Sequence, residues 1–282
     1  MKRGVDQEIK WLCGKADMAT TPDKNQVTEN GNAIISVSAR FAKAALDTLF
    51  PPQCLLSREM VTAPGELAPS VWKTLHFLDA PFCAVCGVPF AVDAGLDAVC
   101  PSCLAQPPAY DRARAAFVYD DHSKRLILDF KYRDRHDGAN AFAGWMYRAG
   151  RELFKSNALV APVPLHFSRL LRRRFNQSAM LSLKLAELAG VEVVPDLLVR
   201  NRRTPQQKGL SWRARRRNVA GAFSLNERYA REFRDRDVVL IDDVFTTGAT
   251  VEACARVLKR RGAKKVDVLT LARVVSEGQR LI

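Results

Sequence analysis

Two adjacent carboxylates, Asp242 and Asp243, end the apolar run Val238-Val239-Leu240-Ile241 and precede Val244-Phe245 and the small-residue stretch Thr246-Thr247-Gly248-Ala249-Thr250. A β-branched run of this kind reads as a buried parallel strand, whose carboxyl end is where open α/β sheets place ligands. Paired carboxylates there accept hydrogen bonds from vicinal hydroxyls. The threonines and Gly248 supply hydroxyls and close backbone approach, and the helix that opens next offers unpaired N–H groups and a positive dipole end to an anion. A diol grip beside a phosphate cup describes a site for a sugar bearing a phosphate. The alternative is an ordinary strand-turn-helix with acids capping the helix. The combination of hydrophobic run, acid doublet and Thr-Thr-Gly-Ala-Thr is far more restrictive than a lone glycine motif.

A second chemistry resides in Cys83-x-x-Cys86 and Cys100-x-x-Cys103. Each spacing lets two sulfurs of one tight turn reach the same ion, and four thiolates without histidine close a coordination sphere as structural zinc does. The competing readings are disulfides, disfavoured in a reducing compartment, and a redox pair, for which a single Cys-x-x-Cys opening a helix is expected. Cys13, Cys54 and Cys254 read as spectators.

Two basic segments follow. Val163-Pro164-Leu165-His166 and the nearby Arg169, Arg172, Arg173 and Arg174 leave a strand directly, so this loop is expected to face the same crevice as the aspartates and to hold a pyrophosphate. A solvated arginine cluster is the alternative, and His166 reads as a base or as a packing residue. Arg200 to Asn218 contains Gln206, Gln207, Lys208, Trp212, Arg213, Arg215, Arg216 and Arg217. It reads as a mobile lid that closes on a polyphosphate, as a surface where Trp212 stacks on a base while arginines track a nucleic-acid backbone, or as a charged loop without a ligand.

The elements that must position these residues are legible in outline. Val251, Cys254, Ala255 and Leu258 form one face of the helix after the threonine loop, with Lys259, Arg260 and Arg261 in its last turn and Gly262 beyond. Strands are expected at 115–119, 159–161, 238–241 and 265–270, and helices at 124–132, 141–154 and 181–188, the last closed by Gly190, with Leu181, Leu185, Leu188 and Ala189 as its core stripe. Such alternation argues a mostly parallel sheet covered on both faces. Residues 1–32 read as a disordered tail, 33–52 as a helix stopped by Pro51-Pro52, 53–110 as a zinc-ribbon module and 111–275 as the α/β domain.

With 282 residues and 48% hydrophobic side chains, the chain has enough apolar surface for one sizeable core plus a small module. The excess of 44 Lys plus Arg over 30 Asp plus Glu, a net +14, favours nucleic acid, anionic lipid or phosphorylated ligands. No run is long and apolar enough to span a bilayer and no secretory segment opens the sequence, so a cytoplasmic location is expected.

The run through Asp242 to Thr250 resembles the phosphoribosyl-pyrophosphate signature of type I phosphoribosyltransferases. That likeness implies that the two acids bind the ribose hydroxyls with Mg²⁺ and that Thr246, Thr247, Gly248, Ala249 and Thr250 hold the 5′-phosphate. The wider pattern, from about Leu49 to Val274, resembles the ComF family, phosphoribosyltransferase-like proteins with an N-terminal zinc ribbon linked to DNA uptake. Its marks here are Phe50-Pro51-Pro52-Gln53-Cys54, the four ribbon cysteines, Val163 to His166, Arg173 to Gln177, Thr204-Pro205-Gln206-Gln207 and the acid-threonine motif. The resemblance implies phosphoribosyl pyrophosphate, single-stranded DNA and competence-machinery proteins as partners. Members often carry a second set of Cys knuckles. Here Cys54-Leu55-Leu56-Ser57 keeps one sulfur and Ala68-Pro69-Ser70-Val71 none, so one zinc ion is expected. Purine-salvage relatives place an acid where Thr246 stands and often a Lys at Ala249, which argues against oxopurine salvage. Three functions stay open: a protein of DNA uptake that binds this sugar phosphate, a nucleotide-salvage transferase, and a non-catalytic regulator that senses the sugar phosphate and binds nucleic acid.

Overall fold

A computed structural model describes residues 51–95, 97–132, 138–165, 175–202 and 212–275, and the fold reported is that of the unit Pro51–Ile282. The tail at 1–32 and the helix expected at 33–52, apart from its closing prolines, lie outside the described residues.

Five parallel strands make the sheet, in the order β1 (Arg112–Val118), β7 (Lys265–Arg273), β6 (Asp237–Phe245), β2 (Ala158–Pro162), β3 (Glu192–Val193). A short antiparallel pair, β4 (Leu198–Arg200) with β5 (Phe223–Leu225), stands apart. The period of two along β6 divides the core. Val239 and Ile241 pack with Leu126, Ile127 and Phe130 of α3 (Asp121–Tyr132), Phe142 and Met146 of α4 (Ala139–Ala149) and Leu181 and Leu185 of α5 (Gln177–Ala189). Val238 and Leu240 pack on the other face with Val251, Cys254, Ala255 and Leu258 of α7 (Ala249–Arg260). Both faces are covered, so every residue from Asp237 to Ile241 is buried, as a central parallel strand requires.

Several boundaries differ from the sequence expectation. The strand expected to stop at Ile241 runs to Phe245, so Asp242 and Asp243 belong to its ladder, with Asp242 opposite Thr270 and Phe245 opposite Arg273. The helix expected over 141–154 ends at Ala149, and Gly150 separates it from a 3₁₀ turn at Arg151–Leu153. In α5, Leu188 is 50% exposed and Ala186 takes its place in the core. The lid expected over 200–218 is helical in its second half: α6 (Trp212–Val219) packs against α7 and inserts Val219 into the core.

The cysteine module preceding the sheet consists of two halves with one hydrogen-bond plan. Cys54 N–H donates to Glu59 O at 2.7 Å, and Cys83 N–H to Val88 O at 2.8 Å. Val61 N–H meets Pro52 O and Phe90 N–H meets Pro81 O, both at 2.9 Å. Arg58 (φ 63°) and Gly87 (φ 69°) occupy the same left-handed place four residues after the first cysteine. Each half ends in a short helix opening on a proline, α1 (Pro69–Trp72) after Ala68 and α2 (Pro101–Ala105) after Cys100. Only the second half carries four cysteines. In the first, buried Cys54, Ala68 and Val71 pack together where the metal would sit.

Candidate functional site

Asp242 and Asp243 emerge where β6 passes the end of β2. Val163 N–H still bonds Ile241 O at 2.8 Å, so Pro164 and Leu165 leave the sheet beside the carboxylates; His166 and Arg169 lie outside the described residues. Asp242 Oδ1 accepts from the Ser178 hydroxyl at 3.1 Å and from the Asp243 backbone N–H at 2.9 Å. Burial, then the charge of Asp243, pushes the Asp242 carboxyl up to about 7. Asp243 is neutralised by Lys131 Nζ at 2.7 Å, both side chains being mostly buried. Lys131 comes from the last turn of α3, and its carbonyl accepts from Gln177 Nε2 at 3.1 Å. Asn176 caps α5 by accepting from Ser178 N–H and donates to Val163 O. The doublet is thus held by three elements. Lys131 and Ser178 escape a reading of the sequence because neither stands in a motif; the Asn176-Gln177 pair beside Ser178 is the available signal.

The threonine loop turns sharply into α7. Gly248 is its N-cap with φ 72° and no capping side chain, and a Cβ there would meet the Phe245 ring at 2.7 Å. Glycine is required on both counts, and the first-turn N–H groups of α7 are left for an anion. Thr246 is exposed, whereas Thr247 Oγ1 is buried without a hydrogen-bond partner. A buried orphan hydroxyl beside a helix start is what a phosphate oxygen would satisfy. Of the basic segment, Gln206, Gln207 and Lys208 lie outside the described residues. Trp212, Arg213, Arg215 and Arg216 are placed in α6 by their backbone alone, and Arg217 is exposed on it.

The sulfurs of Cys83, Cys86, Cys100 and Cys103 lie within 4.8 Å of one another, all four residues buried. Cys86 and Cys100 Sγ are 3.7 Å apart, matching the edge, about 3.8 Å, of a tetrahedron built on Zn–S bonds of about 2.3 Å. Backbone N–H groups of Cys86 and Cys100 donate to Cys83 Sγ at 3.4 and 3.3 Å. Hydrogen bonds from Cys103 and Cys86 hold the Cys83 thiol far below the usual thiol range, which favours the thiolate that binds a cation. The set fits one structural zinc ion, and no other cluster of this kind occurs among the described residues.

The ribbon abuts the threonine loop. Arg273, at the end of β7, donates to Cys86 O and stacks over the Phe245 ring at 4.9 Å. Glu252 in the first turn of α7 accepts from Ala109 N–H at 2.8 Å. Between them lies a cavity of about 830 Å³ lined by Thr246 to Ala249 on one side and by Ser102, Cys103 and Gln106 on the other.

Residues 45–104 match the family model of the double zinc ribbon domain, and residues 177–280 that of the phosphoribosyl transferase domain. Competence protein F of Haemophilus influenzae is 32% identical over 198 residues, which are 68% of this chain and 85% of that protein. DNA utilization protein YhgH of Escherichia coli is 33% identical over 202 residues, 70% of this chain and 86% of that protein. Competence protein ComFC of Bacillus subtilis is 28% identical over 199 residues, 68% and 77% of the two chains. Among the described residues no helix is long and apolar enough to cross a membrane.

Proposed function

This chain belongs to the ComF family, the family of competence protein F, and we propose from that premise that it binds phosphoribosyl pyrophosphate at the end of β6 and acts on single-stranded DNA during its uptake. The observation that carries the sugar-phosphate reading is the direct succession of the Asp242–Asp243 pair and the Gly248 turn with its orphan Thr247 hydroxyl. The carboxylates accept hydrogen bonds from the ribose hydroxyls, and the loop and the start of α7 hold the 5′-phosphate. The segment after Pro164-Leu165 takes the pyrophosphate. Mg²⁺ would sit at Asp242 and Asp243, neutralising pyrophosphate and ribose oxygens when bound. If phosphoribosyl transfer occurs, the chain's residues contribute orientation of C1 and stabilisation of the departing charge.

The nucleic-acid part rests on the net +14 charge, on the arginine-rich helix α6 and on relatives named for competence and DNA utilization. A cytoplasmic setting suits both partners.

Calorimetry with phosphoribosyl pyrophosphate and Mg²⁺ tests the first part: wild type is expected to give a saturable heat that Asp242→Asn/Asp243→Asn abolishes, and equal heats would remove the assignment. Fluorescence anisotropy with a labelled single strand tests the second. Neutralising Arg213, Arg215, Arg216 and Arg217 is expected to weaken binding and to flatten its salt dependence, by about 0.7 in log–log slope for each phosphate no longer neutralised, with sugar-phosphate affinity intact. Pyrophosphate release over a panel of free bases separates DNA handling from salvage: robust turnover of one base favours the transferase.

A further inference from the structure

We propose that the cavity between the threonine loop and the ribbon is a modification site, where hydrogen peroxide oxidises Cys86 and Cys103 to a disulfide and thereby reversibly unmakes the metal site. This chemistry is independent of any sugar phosphate at Asp242 and Asp243, neither of which lines the cavity.

Of the four ribbon cysteines, Cys86 and Cys103 line the cavity and Cys83 and Cys100 do not. Their exposures follow the same division, 8% for each of the first two against 0% and 2% for the others. A small neutral reagent entering the space therefore meets this pair first. At about 830 Å³ the cavity is far larger than the roughly 30 Å³ share of one water, and hydrogen peroxide is little bigger than water. The backbone adds to the asymmetry. Cys83 Sγ accepts N–H groups from Cys86 and Cys100 at 3.4 and 3.3 Å, whereas Cys103 Sγ accepts none among the described residues. A sulfur whose lone pairs are engaged by donors is the weaker nucleophile.

The wall also carries donors that a departing oxygen needs. Arg273, 4% exposed, gives one N–H to Cys86 O, pairs with no carboxylate among the described residues and leaves Nε buried without a partner. Tyr110, 7% exposed, makes no hydrogen bond through its hydroxyl among the described residues. Both flank the Phe245 ring, the guanidinium at 4.9 Å and the phenol ring at 6.1 Å from its centre. Buried donors without acceptors are costly in the empty site, and donors aimed at developing negative charge lower the barrier to its release.

The step balances with peroxide as the oxidant. In the metal-loaded ribbon the sulfurs are thiolates. Cys103 Sγ attacks one peroxide oxygen, the O–O bond breaks, and hydroxide leaves beside Arg273 and Tyr110. Cys86 Sγ then attacks the resulting sulfenic acid at sulfur and expels a second hydroxide. Each sulfur gives up one electron, and the two hydroxides take protons from solvent to become water. The four sulfurs lie within 4.8 Å of one another, so a move of at most about 3 Å closes the bond of about 2.05 Å. Only Cys83 and Cys100 then remain as ligands, too few for a closed structural site.

The test adds hydrogen peroxide to the full zinc-loaded chain, follows zinc release with a chromogenic chelator and maps the product by peptide mass. One zinc per chain is expected to leave as Cys86 becomes joined to Cys103, and a thiol reductant with added zinc is expected to restore the ion. Tyr110→Phe, which removes one hydroxyl, is expected to slow release about tenfold, below the full worth of an oxyanion donor. Gln106→Trp, which fills the cavity from an exposed ribbon position, is expected to slow it severalfold by closing access. In both variants zinc content and thermal midpoint before treatment are expected to match wild type, which separates access and chemistry from a loss of fold. A disulfide through Cys83 or Cys100, release at the wild-type rate in both variants, or a chain that the reductant does not restore would each overturn the proposal.

Discussion

Burial and the adjacent charge of Asp243 raise the Asp242 carboxyl from an ordinary 3.8 to about 7, against the Asp243 backbone N–H, Lys131 and Ser178, which favour the ionised form. A carboxyl with a folded value above its unfolded one holds its proton more tightly in the fold. Its contribution to stability is therefore complete below about pH 4 and lost as pH rises through about 7. Ligand binding has the opposite sign, because hydroxyls and a divalent cation need the carboxylate. Affinity for phosphoribosyl pyrophosphate with Mg²⁺ is expected to rise up to about tenfold per unit below about pH 7 and to level off above it, by calorimetry across that range. Asp242→Asn is expected to raise the thermal midpoint of the ligand-free protein on the alkaline side, and a lower midpoint there would show that the charge is not a burden on the fold. Lys131 is the counterweight. Replacing it by Met leaves Asp243 mostly buried and unpaired and is expected to cost about 3–5 kcal/mol. Added Mg²⁺ is expected to recover more of the thermal midpoint in this variant than in wild type. The acid doublet is legible in the sequence because strand, acids and threonines are contiguous. Lys131 and Ser178 are not, because they arrive from α3 and α5 and meet the doublet only through the crossing of these helices over the sheet.

Among the elements, the ribbon shows how a fold outlasts its metal. Cys54 Sγ accepts backbone N–H groups from Leu56, Ser57 and Ala68 at 3.5, 3.4 and 3.2 Å, as Cys83 Sγ does within the four-cysteine half. Ala68-Pro69-Ser70-Val71 stands where Cys100-Pro101-Ser102-Cys103 stands, with the proline and serine retained. The missing ligand positions are thus Ser57, Ala68 and Val71. Restoring them as Ser57→Cys/Ala68→Cys/Val71→Cys is expected to raise zinc content from one to two ions per chain in a thiol-displacement assay, and a value that stays at one would show the halves not to be equivalent. The four-cysteine set is legible from spacing alone, but the likeness of the two halves lies in their backbone hydrogen bonds. The helix α6 is hidden for another reason: Trp212 to Asn218 has no apolar stripe, and its place in the core depends on the single residue Val219 at its end.

For the whole molecule, sequence spacing suggests a metal module followed by a separate α/β domain, with a boundary near 110. The hydrogen bonds across that boundary describe one body within Pro51–Ile282. Leu78 N–H bonds Ala116 O at 2.9 Å and Ala113 N–H bonds Val85 O at 2.7 Å. Arg114, buried, donates to Ala84 O at 3.1 Å. Gly87 sits so close to the Ala113 carbonyl that no Cβ fits. These links are invisible to composition because they run through the backbones of segments that carry no shared motif. They would make a bound metal part of the crevice's stability: zinc on the four sulfurs would fix Cys86 and Cys103, Cys86 O accepts from Arg273, and Cys103 lies in α2, which borders the loop where α7 begins. Removing zinc with a strong chelator is therefore expected to lower the thermal midpoint of a single cooperative transition by about 5 °C or more, since about 1 kcal/mol moves a unit of this size by about 2–4 °C. The same treatment is expected to weaken phosphoribosyl pyrophosphate binding, though none of the cysteines touches the carboxylates. Two separated transitions after chelation, with affinity at the crevice unchanged, would show that the ribbon and the sheet fold and bind independently.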